Sequence, residues 1–334
     1  MLNKLLLHPN FNNTITELNK LKIDVPPYPS DLKVDFEPYT YPPNGDTVIQ
    51  LEENEKYSLS PKNGEKVSKT LRRNIMAYDE SFQKYSTLEG DAFFTSHSLI
   101  LMDSTDYLPL NYLTFYFYSR SSLITKNSKY IMNTKKTEIQ QKIDYCQDRA
   151  NILTNNIPSQ SIIFIDGPII GKQMSRRSLR LSNDLIKNDI MPIFIVKNSA
   201  SDLVTNYMAQ YRGKYHSDMH WSYKFLNSNE RTCFYQYFDK KGSMGKVFCY
   251  LKSFDLSPQR IEFDIDAYRK YKSNIEDVMN LILYFIYCQG DYKNPQIRPI
   301  AIAEKYARET IHLYDIYKLI KYYGVETMNQ KRFG

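Results

Sequence analysis

The chain has 334 residues, a net charge of +7 and a pI near 8.9, which allows one large domain or two ordinary ones. Its four cysteines, Cys146, Cys233, Cys249 and Cys288, form no C-x-x-C pair, which excludes a zinc ribbon or a thioredoxin-like motif and fits buried thiols in a reducing compartment. The longest apolar run, Val278–Cys288, is too short to span a membrane and contains Asn280, and Met1–His8 is too short for a secretory signal, so a cytoplasmic protein with no membrane partner is expected.

The basic excess suits a polyanionic partner without requiring one. The 29 tyrosines suit stacking on bases, but they fit a chain of biased composition better. In chain order, Leu5, Leu6, Phe11, Ile15, Leu18 and Leu21 predict a short amphipathic helix from about Asn12. Residues 24–62 are dense in proline and read as an extended arm lying on a domain or a partner. Residues 64–88 read as helix, with Lys69, Arg72 and Arg73 on a solvated face. The pattern changes at Ala92, which divides the chain into an N-terminal helical and Pro-rich extension, residues 1–90, and a main domain, residues 91–334.

Ser98–Met102 reads as a strand ending at Asp103, Tyr112–Tyr118 as a second and Ser122–Met132 as a third. Thr134–Leu153 reads as a helix capped by Thr137, with Ile139, Ile143, Cys146, Ala150 and Leu153 on one stripe. Ser161–Asp166 is a short isoleucine-rich run ended by Gly167, the pattern of a strand buried on both faces. A basic helix carrying Arg176, Arg177 and Arg180 follows, then a buried strand, Met191–Val196, that ends at Lys197. The order β-β-β-α-β-α-β is that of a ribonuclease-H-like mixed sheet flanked by helices, an α/β fold. Beyond it come a helix at His216–Leu226, strands at Thr232–Asp239, Lys246–Phe254 and Arg260–Ile265, and helices at Asn274–Gln289 and Arg298–Tyr314.

Two strands end alike, at Asp103 and at Asp166, and in such a sheet those ends can lie side by side. Paired carboxylates repel, and a divalent cation such as Mg²⁺ or Mn²⁺ removes that cost while activating water against a phosphate. Glu138, Asp144 and Asp148 on the intervening helix are candidates for a third acid; Glu138 equally suits the helix dipole. Lys197 is a candidate for phosphate or for the carboxylates, and reads as readily as an ordinary strand-end lysine. His216 and His220 share a helical face, but no third ligand or zincin glutamate accompanies them, and Asp218 between them is a weak further acid. Gly167–Lys172 lacks the spacing and the Ser/Thr of a phosphate-binding loop, and no G-x-S-x-G elbow is present.

These pieces, in order, resemble the NurA nucleases, partners of the HerA translocase. Leu101-Met102-Asp103-Ser104 resembles the first Asp-Gly-Ser-type motif and Phe164-Ile165-Asp166-Gly167-Pro168 the second. Ile195-Val196-Lys197-Asn198-Ser199 resembles the strand-Lys-Ser element, and Tyr250-Leu251-Lys252 with Gln259-Arg260-Ile261-Glu262-Phe263 the later strands. Gly290–Ala307 resembles the C-terminal region, with Asn294-Pro295 for Tyr-Pro, Tyr292 close by, and Ala303-Glu304 where Ala-His is usual; His312 lies about two turns later. The resemblance covers about residues 92–310. It implies a ribonuclease-H-like core, dependence on Mn²⁺ or Mg²⁺, a homodimer, a HerA-type hexameric ATPase as partner, and cleavage of single- and double-stranded DNA.

The expected function is therefore metal-dependent hydrolysis of DNA phosphodiesters in end processing. Asp103 and Asp166 would hold the metal, completed by Glu138 or Asp148, and Lys197 would stabilise charge on the phosphate. Arg176, Arg177 and Arg180 would contact the DNA backbone, with Tyr292 as a further DNA contact. The alternative is an inactive ribonuclease-H-like module that grips DNA or a partner without cutting; a structural adaptor with a chance Asp-Gly turn is a third.

Overall fold

The computed structural model describes residues 47–103, 106–126, 131–170, 174–239, 241–323, 325, 327 and 328. The helix expected from about Asn12 and the Pro-rich stretch as far as residue 46 lie outside them. The rest of that arm is not an extended stretch: it forms β1 (Thr47–Gln50), β2 (Lys56–Ser58) and the start of α1 (Pro61–Thr70). Ser60 caps α1, its Oγ accepting from the Asn63 N–H, and Pro61 supplies the preset φ of a first helical residue. The helix rests on α8 (Ile275–Gln289) through Gly64, where a Cβ would come within 2.1 Å of the Asn280 carbonyl oxygen.

Residues 64–88 are not one helix. α1 stops at Thr70, and Asn74–Ser86 forms a long strand, β3. Its run Ile75-Met76-Ala77-Tyr78 suits helix or strand locally, and pairing on both sides decides for strand. β4 (Asp91–Asp103) runs antiparallel to β3 from Ile75↔Met102 to Ser86↔Asp91, and β5 (Asp106–Ser119) runs antiparallel to β4. The meander therefore begins one strand earlier than the sequence pattern suggested. Among its described residues, the expected third strand, Ser122–Met132, holds a one-turn helix, α2 (Ser122–Thr125), and the start of β6 (Ile131–Asn133). A domain boundary at residues 90/91 would cut the sheet between β3 and β4.

α3 (Thr137–Asn156) leads into β7 (Ser161–Asp166), and α4 (Ser175–Lys187) into β8 (Ile190–Val196). Thr137 does not cap α3; it is the first helical residue, and its hydroxyl donates to Asp91. β7 runs parallel to β3 from Asn74↔Ser161 to Tyr78↔Ile165, and parallel to β8 on its other side. Both strands are isoleucine-rich because both of their faces are covered. The order β5-β4-β3-β7-β8, a meander followed by two parallel crossovers, is the ribonuclease-H-like sheet. Beyond β8 it continues antiparallel through β12 (Gln259–Phe263), β11 (Gly245–Lys252), β10 (Tyr235–Phe238) and β1, with β9 (Glu230–Thr232) joining β11 to β2.

One face packs Ala77, Ile100, Ile162, Phe164, Ile193 and Ile195 against α8 and α9 (Arg298–Ile311). The other packs Met76, Tyr78, Leu99, Ile163 and Ile165 against α3 and α4. A third cluster centres on Trp221 of α6 (Asp218–Phe225) and covers β10 and β11 with α5 (Leu203–Tyr207). α7 (Ile265–Tyr271) follows β12, and α10 (Ile316–Tyr322) packs Ile316 and Ile320 against Ala92 and Phe94 of β4. Among the described residues no helix is long and apolar enough to cross a membrane.

Candidate active site

β7 ends at Asp166, whereas its parallel neighbour β3 runs on to Ser86. The last paired position, Tyr78↔Ile165, sets Asp79 level with Asp166. Side chains alternate along a strand, so Asp79 follows Ala77, Asp166 follows Phe164, and Lys197 follows Ile195 onto the face beneath α9. Small residues in β4 let that helix approach closely: Ser98 lies across from Asp79, Ser96 across from Ser81, and Ala303 and Ala307 of α9 are fully buried. α9 contributes Glu304. The Lys197 Nζ lies 3.3 Å from Asp166 Oδ2 and 3.0 Å from Glu304 Oε2. Gln296 Nε2 donates to the same Glu304 oxygen at 2.5 Å, and Arg308 pairs with the other.

Negative charge on this ledge is only partly compensated. Burial, then the neighbouring Glu80 and Asp166 carboxylates, push the Asp79 pKa up to about 8, against the pull of Lys197. Burial also raises Asp166, and Lys197 only partly offsets it. Burial works against charge on Lys197, but Asp166 and Glu304 more than offset it, so the ammonium stays charged. Glu80 faces the opposite side, toward Tyr145 and Arg149 of α3; burial raises its pKa against the pull of Arg149. Among the described residues, Glu80 Oε2 and the Ser98 hydroxyl are buried with no hydrogen-bond partner.

Among the described residues no group of three or more His, Cys, Asp or Glu is assembled to hold a metal. Two level carboxylates with raised proton affinity nevertheless fit a hard divalent cation, since Mg²⁺ sites commonly use one or two carboxylates and leave the rest to water and phosphate.

A profile of the NurA domain matches residues 47–309, which take in Asp79, Asp166, Lys197 and Glu304. The chain belongs to the NurA family. Among solved structures, the NurA nuclease from Sulfolobus solfataricus is similar at 11% identity, over 75% of this chain and 85% of that one, with a TM-score of 0.47. A NurA structure with manganese is similar at 10% identity, over 73% and 87% of the two chains, with a TM-score of 0.40. Endonuclease V of Ciona intestinalis, in complex with an inosine-containing 23mer DNA, is similar at 12% identity, over 75% and 94%, with a TM-score of 0.34. Comparison with curated proteins finds no match.

The candidate site is not composed as the sequence suggested. Met102 pairs with Ile75, so the end of β4 at Asp103 is level with Asn74, where β7 begins. β4 is antiparallel to β3 and β3 parallel to β7, so Asp103 and Asp166 lie at opposite ends of the sheet. The five-residue offset corresponds to about 17 Å. At the end of the sheet where Asp166 stands, the Asp-x-Ser stretch is Asp79-Glu80-Ser81, directly after Met76-Ala77-Tyr78.

The acids of α3 do not join the site either. Glu138 is 70% exposed and pairs with Lys84 at 3.0 Å. Asp148 accepts from the Tyr116 hydroxyl at 2.7 Å, and Asp144 from the Tyr118 hydroxyl at 2.7 Å, over the outer strand of the meander. Asp218 is a structural acceptor, taking the Val204 and Thr205 N–H groups and the Tyr250 hydroxyl. His312 is exposed past the end of α9, so Glu304 alone stands at the histidine position. Arg176, Arg177 and Arg180 are exposed on α4, and Tyr292 is exposed between α8 and α9.

Proposed function

We propose that this chain is a divalent-metal-dependent deoxyribonuclease that hydrolyses phosphodiester bonds during DNA end processing, working as a homodimer with a HerA-type ATPase. The observation that carries the hydrolytic reading is the convergence of Asp79, Asp166 and Lys197 on one ledge of a NurA-family chain. Asp79 and Asp166 would hold a Mn²⁺ or Mg²⁺ ion. Such an ion lowers the pKa of bound water and takes up charge on a phosphate oxygen.

The chain's own residues supply the rest. Lys197, kept protonated by Asp166 and Glu304, offers an ammonium to the charge that develops on the phosphate. Glu304 and Gln296 fix where that ammonium sits. Packing of α9 keeps Asp79 from bulk water, which strengthens each of these interactions. Arg176, Arg177 and Arg180 would neutralise backbone phosphates, which gives sequence-independent, salt-sensitive binding, and Tyr292 offers a face for stacking.

The test is Mn²⁺-dependent cleavage of single- and double-stranded DNA by the wild type, Asp166→Ala and Asp79→Ala. Both variants are expected to lose cleavage, and equal cutting by all three overturns the catalytic reading. The Lys197 bridge between Asp166 and Glu304 favours one second reading, because an ammonium already offsets part of the charge that a metal ion would otherwise balance. On that reading the chain is an inactive module that grips DNA or a partner, and the wild type binds DNA in a salt-sensitive manner without cutting it. Light scattering tests the homodimer, and co-purification with the ATPase tests the partnership.

A further inference from the structure

Glu262, in the middle of β12, is 0% exposed, and its companions Lys246 and Arg260 are 2% and 4% exposed. A bare carboxylate there would carry a heavy desolvation cost. Its Oε1 meets the Lys246 Nζ at 2.5 Å and the Arg260 Nε at 2.7 Å. Replacing such a cluster with well-packed apolar residues is often neutral for stability, so stability is a weak reason for its presence. Its hydrogen bonds have direction, and both directions lead to the candidate active site.

The Glu262 Oε2 accepts from the Ile169 N–H at 2.9 Å. Ile169 is the third residue after Asp166, and the turn between them is held at its other end by the Gly167 N–H on the Ile195 carbonyl at 2.8 Å, with Gly167 at φ +92. Arg260 points the other way. Its Nη1 donates to Ser199 Oγ at 2.8 Å and to Ser201 Oγ. Those serines follow Lys197, and the Ser201 carbonyl is anchored in turn by the Asp218 N–H at 2.9 Å. Arg260 pairs across the sheet with Val196, so the cluster lies on the face opposite Lys197 and touches neither charged site residue.

We infer that Arg260 and Glu262, buried together with Lys246, are positioning residues that lock the turn after Asp166 and the loop after Lys197 to one buried point, and so hold the Asp166–Lys197 contact in register. Each of those two residues sits where the chain leaves its strand, and neither β7 nor β8 alone fixes the distance between them. A displacement of about 1 Å at such a site is enough to cost much of the rate. The catalytic half of this inference rests on the nuclease reading; the positional half does not.

The experiment compares Ser199→Ala/Ser201→Ala with Ser199→Thr/Ser201→Thr in the full chain. The first pair removes the two serine acceptors of Arg260 and leaves its pairing with Glu262, and the second keeps the hydroxyls. Acetylation of Lys197 by an amine-reactive ester, followed by mass spectrometry of its peptide, reports whether the ammonium is still held, whatever the chain cuts. The alanine pair is expected to acetylate Lys197 several-fold faster than the wild type, and the threonine pair at close to the wild-type rate. In Mn²⁺-dependent cleavage, kcat of the alanine pair is expected to fall by about tenfold with KM for DNA little changed. Unchanged Lys197 reactivity in an alanine pair with wild-type circular dichroism overturns the inference. Faster acetylation with unchanged kcat overturns its catalytic half. Faster acetylation in a protein whose wild type cuts no DNA supports the positional half while overturning the nuclease reading. If the double alanine does not fold, the two single alanines carry the same comparison, and Glu262→Gln, which keeps an acceptor for Ile169, tests the other arm.

Discussion

At Asp79 a single carboxyl connects the site to the stability of the whole chain. Its pKa is raised from 3.8 to about 8, so the folded state holds a proton that the unfolded state releases near pH 4. Folding stability from this group is therefore lost as pH rises from about 4 to about 8 and is level above that. Asp79→Asn should melt several degrees above the wild type at pH 8 without metal and close to it at pH 4. Mn²⁺ should raise the wild-type melting temperature at pH 8 and leave the variant almost unmoved; differential scanning fluorimetry across pH reads both. His97 has the opposite sign. Burial first and Arg149 second press its pKa from 6.5 to about 4, and its Nδ1 lies 2.8 Å from the Tyr78 hydroxyl. The unfolded chain takes up a proton that the folded chain refuses, so stability is lost as pH falls from 6.5 to 4. His97→Gln should flatten that acid limb in the same melting series.

Whole elements, rather than single residues, decide which charged groups can work together. β4 carries Asp103 to the wrong end of the sheet because it is antiparallel to β3, so Asp103→Asn should cut DNA within about twofold of the wild type, where Asp79→Asn does not. α4, the crossover helix between β7 and β8, carries three exposed arginines in its first two turns. If they contact phosphates, each arginine replaced by glutamine should lower the slope of log affinity against log salt by about 0.9 on duplex DNA. Fluorescence anisotropy at a series of salt concentrations measures that slope, and an unchanged slope removes α4 from the DNA path. α3 shows why the helical acids misled. It does lie beside the meander, but its Asp144 and Asp148 bond to tyrosines of β5, its Glu138 pairs with Lys84, and toward Glu80 it presents Arg149 and Tyr145.

For the molecule as a whole, the central place of β3 means that a chain beginning at residue 91 lacks the strand between β4 and β7. Such a fragment should fail to fold, whereas one covering the compact unit Pro38–Gly334 should give a cooperative melt and native-like circular dichroism. The buried isoleucine strands β7 and β8, the helices after them and the alternating order of elements were legible because each has a strong local period. Lys197 and Asp166 were legible as residues standing where such strands stop. β3 was not legible, because Ile75-Met76-Ala77-Tyr78 suits a helix as well as a strand, and that one misreading moved the first acid from Asp79 to Asp103. Glu304 was visible only as a departure from a histidine. The sequence by itself determined the fold class, the family and the strand that ends at Asp166, since these depend on local patterns and on motifs in order. Only the tertiary structure decided which acid stands beside Asp166 and what holds Lys197, because strand register and helix placement come from pairing partners far away in the chain.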